Sequence, residues 1–212
     1  MAENQSAVVG GWLVALGALG VAAITAIYAS APTAASAPLP AGTPIAEALA
    51  ATVGARSQLW MAGTIGMVAD VILIAGCLVL ALRSGEPVTK RLFWIWLMLS
   101  TAIFFVVDGL AGAVLPELAA ETGADQTAYL FARRAYDAAF ALGVGTFGVG
   151  FVAAGLGSTG TWRWVTLTLG VASMGAFGLH LFGVTVPLLL GICVGIAGVL
   201  GAFSGYREAR TI

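Results

Sequence analysis

Residues 59–82 read LWMAGTIGMVADVILIAGCLVLAL, a run of apolar and small residues broken by a single ionisable side chain, Asp70. A bilayer's hydrocarbon core is about 30 Å thick, so a helix needs about 20 mostly apolar residues to cross it. The run is long enough. Five other stretches have the same character: residues 7–29, 92–115, 135–156, 162–182 and 184–203. The spacing predicts an all-α polytopic membrane protein, a single transmembrane domain built as a six-helix bundle over residues 1–212. Little chain is left for a water-soluble domain.

Composition leads to the same class. The 212 residues are 60% hydrophobic and 9% charged, against about 25% charged in a typical soluble domain. A soluble fold of this size could not hide so much apolar surface. The net charge of −1 gives no basic face for nucleic acid. Cys77 and Cys193 lie inside apolar runs, where thiols behave as small hydrophobes. Two cysteines form no disulfide framework.

The first apolar run resembles a signal peptide only in part. Its leader, MAENQS, has no Lys or Arg, and the run is too long for a signal core, although Ala29-Ser30-Ala31 has the small residues of a cleavage site. The run is expected to be retained as a span.

Lys and Arg collect on cytoplasmic loops. Six crossings put Arg83, Lys90, Arg91, Arg163, Arg207 and Arg210 on one side and Arg56, Arg133 and Arg134 on the other. That bias predicts both termini in the cytoplasm and an external loop over residues 30–57. Its Ala, Ser and Pro residues predict irregular chain. Thr43-Pro44 reads as a helix start, predicting a short surface helix over residues 45–53. The second external connection, residues 116–129, carries Glu117, Glu121 and Asp125. Helices five and six are separated by only a few residues and are expected to form a tight antiparallel pair, with Pro187 in the first turn of the sixth. Trp94, Trp96, Trp162 and Trp164 are expected at the inner interface, and Trp60 and Tyr129 at the outer one.

Small residues let helices approach without a hydrophobic driving force. Helix four has Thr146, Gly150 and Ala154 at four-residue spacing. Helix six has Gly191, Gly195, Gly201 and Gly205, stripes through which a second copy could also associate. Two strings, Gly143-x-Gly145-x-x-Gly148 and Gly155-x-Gly157-x-x-Gly160, match a dinucleotide fingerprint by spacing. That fingerprint works only between a strand and a helix. Here they read as helix packing and a turn.

The inventory excludes several chemistries. The sole Lys, Lys90, is in a loop, so no intramembrane Schiff base forms. The sole His, His180, cannot build a multi-histidine metal or haem site within one chain. No cofactor is implied. What remains is a set of ionisable residues at membrane depth, where charges are costly and often mark a functional path. Asp108, Arg133, Arg134, Asp137 and His180 all fall in the outer half. Asp70 lies near mid-helix with no basic residue at its depth. Arg133 or Arg134 can pair with Asp137 along one helix, and Asp108 can tie to the same arginines. His180 reads equally as a hydrogen-bonded anchor. Asp70 is either protonated and hydrogen-bonded, or reached by water in a cavity. These six residues are the candidate ligand-binding set.

Ala132-Arg133-Arg134-Ala135, the Gly-rich stretch from Gly143 to Gly157 and the Trp162-Arg163-Trp164 start of helix five are similar to a bacterial membrane family catalogued as domain of unknown function 4386. The resemblance implies a bacterial inner-membrane protein and no particular activity. Three function classes stay open. One is a binder or carrier of a small apolar or weakly polar ligand taken from the outer leaflet. Another is an accessory or scaffold protein. The third is a membrane enzyme in which His180 and an aspartate act as acid and base on a lipid-like substrate.

Overall fold

The computed structural model describes residues 2–121 and 126–210, with side chains from residue 5 onward. Asp125, counted above in the acidic connection, lies outside the described residues. Every regular element among them is helical. In order they are α1 (Ala2–Ser30), α2 (Thr33–Ser36), α3 (Ile45–Gly54), α4 (Arg56–Ala81), α5 (Val88–Gly109), a π-helical turn (Leu110–Val114), α6 (Leu115–Glu121), α7 (Thr127–Leu156), α8 (Gly160–Leu181) and α9 (Pro187–Ala209). Six are long and apolar enough to cross a membrane, with α5, the π turn and α6 counted as one helix, Val88–Glu121. The chain is a multi-pass membrane protein.

Several helices outrun the spans expected from hydropathy. The third continues to Glu121 instead of ending at Leu115. Pro116 lacks an N–H, and in a regular helix its ring would collide with the carbonyl of Gly112. The π turn over Leu110–Val114 changes the hydrogen-bond register just ahead of it and lets the helix run on. The fourth span begins at Thr127 instead of at residue 135, so Arg133 and Arg134 lie well inside a helix. Pro187 opens α9 with its φ pre-set.

Around the bundle the helices follow the order α8, α7, α5, α4, α1, α9. Close approach of small residues sets these neighbours. A Cβ at Gly205 of α9 would lie 2.7 Å from the Gly11 carbonyl oxygen of α1, and one at Gly148 of α7 would lie 2.8 Å from the Gly170 carbonyl oxygen of α8. Gly150 faces Trp96 and Leu97. Between α5 and α7, Phe104 stacks on Phe147 with centroids 5.2 Å apart, and Ser100 Oγ donates to the Gly143 carbonyl at 2.6 Å. Glycines of the fingerprint-like strings meet helix neighbours, with Phe104 at Gly143, Phe177 at Gly145 and Leu167 at Gly155, while Gly160 stands in open space at φ +63°.

The expected tight α8–α9 pair does not form. The connecting turn is short, with Gly183 at φ +79°, but the two helices touch little along their length. Each is drawn to a different partner, α8 to α7 and α9 to α1. Gly175, Gly178 and Gly191 consequently face open space. The helices meet again at the far end, where the Trp162 and Phe203 rings lie 5.5 Å apart.

One end of the bundle is tied by charge. Arg83 bridges Glu86 at 2.8 Å and Glu208 at 3.3 Å, and Lys90 bridges Glu86 at 3.0 Å and Glu208 at 2.9 Å. Lys90 therefore sits in the first turn of α5, not in a loop. This basic end gathers the α4–α5 connection and the end of α9. Trp94 here is buried, not at a lipid interface.

The opposite end is closed by residues 31–54. The segment is not a solvated loop. Residues 31–40, the strap, include the helical turn α2 and bury Ala31, Ala35, Ser36 and Leu39. The short helix foreseen over 45–53 is α3, and it lies on the bundle end. Its Thr52 hydroxyl lies 2.8 Å from the Tyr129 hydroxyl, and both residues are buried. Tyr129 is thus a tether for α3 and not a lipid-facing anchor.

Candidate functional site: a cavity beside α9

A cavity of about 570 Å³ opens among α1, α4, α5, α7, α9 and the strap. Its walls are mostly aliphatic. Leu188, Ile192, Ile196 and Val199 of α9 line it and are also exposed, so the cavity opens sideways along α9. Gly191 and Gly195 belong to this wall and leave it hollow. The two halves of the α9 glycine stripe therefore do different work. Gly201 and Gly205 face Ala18 and Gly11 of α1 within the chain, which leaves them turned away from a second copy.

Two of the candidate acids meet here. Asp70 of α4 and Asp108 of α5 both line the cavity. Asp70 is 0% exposed, and neither carboxylate oxygen has a hydrogen-bond partner among the described residues. Asp108 Oδ1 accepts a hydrogen bond from the Tyr28 hydroxyl at 3.0 Å, while Oδ2 has no partner among the described residues. Asp108 is tied to tyrosine, not to either arginine. Its carboxylate occupies the space beside Gly66, one helical turn before Asp70. Tyr28 was not among the residues singled out by sequence. Near a helix end it reads as an interface aromatic, and only the fold turns it inward.

Arg133 and Asp137 form the expected ion pair, with Nε 3.2 Å from Oδ1 and both side chains buried. Neither lines the cavity. They hold the strap instead. Arg133 donates to the carbonyls of Ala35, at 2.9 Å, and Ala37. Tyr136 donates to the Ser36 carbonyl at 2.6 Å. Asp137 Oδ1 accepts from the Leu39 N–H at 3.3 Å. A strap rich in proline and alanine makes few hydrogen bonds of its own, and buried carbonyls need partners. One face of α7 supplies them. Ser36 and Ala37, so held, form part of the cavity wall.

Arg134 is exposed on the other face of α7. His180 is half-buried in the last turn of α8, with Nδ1 3.0 Å from the Thr185 hydroxyl. That is the anchoring geometry weighed for it, and it lies outside the cavity wall. The six candidates thus divide. Asp70 and Asp108 share the cavity, Arg133 and Asp137 support its cover, and Arg134 and His180 stand apart. Comparison with known proteins finds no matching family model, curated protein or solved structure.

Proposed function

We propose that this protein binds a small, largely apolar ligand in the cavity beside α9, drawn from the leaflet at the strap end. The observation that supports this is the cavity itself. Its volume of about 570 Å³ falls in the range of small-molecule sites, about 300–1,000 Å³, which pair apolar walls with a few placed polar groups. Here those groups are Asp70, Asp108 and Tyr28. The sideways opening along α9 suits a ligand that partitions into hydrocarbon.

The charge bias supports an orientation. Arg83, Lys90, Arg91, Arg163, Arg207 and Arg210 all belong to the basic end, and cytoplasmic loops carry such residues. Both termini are then cytoplasmic and the strap faces outward. A bacterial inner membrane, and membership of the family likened above, rest on Ala132-Arg133-Arg134-Ala135 and Trp162-Arg163-Trp164.

Native mass spectrometry of protein extracted in mild detergent tests the reading. The expected result is a bound species of defined mass that is lost when Gly191→Leu fills the cavity. Protein that carries only the lipids found equally on the filled variant would favour a scaffold without a ligand.

A further inference from the structure

We propose that the polar end of the ligand is a cation, so that the cavity selects lipophilic amines or quaternary ammonium compounds over neutral molecules of the same shape. The proposal rests on the ligand-binding reading above and narrows it.

Two carboxylates line one apolar cavity, and among the described residues no Lys, Arg or His lines it with them. Asp70 is wholly buried with both oxygens unpartnered, and Asp108 keeps one oxygen open. A carboxylate buried in its charged form requires a counter-charge or a set of hydrogen-bond donors, and with neither it takes up a proton that an incoming cation can replace. For buried Asp137 that requirement is met from within, by Arg133. Among the described residues only Tyr28 donates to the acids of the cavity, and it reaches one oxygen. The missing positive charge falls inside the volume open to a ligand. Phe104 and Phe140 line the same space, and aromatic faces attract cations, most of all when water is excluded. The aliphatic wall of α9 would receive the ligand's hydrocarbon part.

The test compares 1-aminoadamantane with 1-adamantanol, a charged and a neutral molecule of one rigid shape. Binding is measured by calorimetry on protein in lipid nanodiscs, with empty discs as the blank. The amine is expected to bind about tenfold or more tightly than the alcohol, because hydrogen bonds to charged groups exceed neutral ones by about that margin. Asp70→Asn and Asp108→Asn should each remove that preference while alcohol binding persists. Equal binding of amine and alcohol to the parent protein would overturn the cation proposal and leave the ligand-binding reading intact. Binding of neither would overturn both. If either variant fails to fold, the comparison on the parent protein still decides. Exchange of sodium for N-methyl-D-glucamine, a bulky and strongly hydrophilic cation, at fixed ionic strength is the last control: displacement of the amine by sodium would assign the acids to an inorganic cation and overturn the proposal.

Discussion

The Asp108 carboxylate fills space that exists because residue 66 is glycine: a Cβ at Gly66 would overlap Asp108 Oδ2 and press on its carboxyl carbon. The two residues sit on α5 and α4, and their contact brings Asp108 to within one turn of Asp70. Gly66→Ala should therefore push the carboxylate out of place and break its bond to Tyr28. Overpacking of this kind destabilises by about 1–3 kcal/mol. Gly109→Ala is the control, since its Cβ would meet only Met67 Sδ at 3.8 Å. Thermal unfolding in detergent should show a clear loss for Gly66→Ala and none for Gly109→Ala.

The two adjacent arginines of α7 should behave as opposites. Arg133 is 0% exposed and bonded to the strap and to Asp137, whereas Arg134 faces outward. Removing Asp137 leaves a buried charge short of its partner, a change that typically costs about 3–5 kcal/mol. Arg133→Met and Asp137→Ala should each lower the melting temperature, and the double variant should cost less than the two single losses added together. Arg134→Ala should shift stability by less than about 0.5 kcal/mol, as exposed substitutions do. A double loss equal to the sum of the single losses would show that Arg133 and Asp137 are not coupled.

Topology and strap can be read in one labelling experiment. An impermeant thiol reagent on intact cells should modify a cysteine placed at Ala41, which is exposed, and leave one at Ser84 untouched on the basic end. Cys77 and Cys193 are buried and should stay silent. A cysteine at Ser36 should react slowly, because the strap buries it. Adding Arg133→Ala releases the Ala35 and Ala37 carbonyls and should speed that reaction. Labelling at Ser84 would reverse the orientation. A fast reaction at Ser36 in the parent would mean that the strap is not docked.

Hydrophobic length made the spans of this chain readable in its sequence, since a run such as residues 59–82 has only one stable place. Their true ends were less so. Arg133 and Arg134 looked like a boundary because charged side chains are costly in hydrocarbon. The boundary vanished because Arg133 finds its partners far back in the chain, at Ala35 and Ala37, 98 and 96 residues earlier, which no local pattern announces. Chain proximity misled at α8 and α9, where the small-residue faces of α7 and α1 decided the neighbours. The meeting of Asp70 with Asp108 was hidden for a similar reason. Like charges are expected to avoid one another, and the space that admits them is a single glycine. By contrast, the ion pair of Asp137 followed from helical spacing.

The glycines of α9 give the cleanest separation of framework from cavity. Gly205 packs on Gly11, and a Cβ there would lie 2.6 Å from the Ala15 backbone nitrogen as well. Gly205→Ala should force α1 and α9 apart, lower the melting temperature and disturb every site behind them. Gly191 faces the cavity with nothing within 4 Å of a Cβ. Replacing a helical glycine with a better helix former gains about 1 kcal/mol, and no neighbour opposes the change. Gly191→Leu should therefore melt at or above the parent temperature while its side chain enters the cavity and excludes the ligand. Melting curves and ligand retention, measured together on both variants, check the pair. If Gly191→Leu keeps the bound species at the parent level, the ligand lies elsewhere and the cavity beside α9 is only a packing gap.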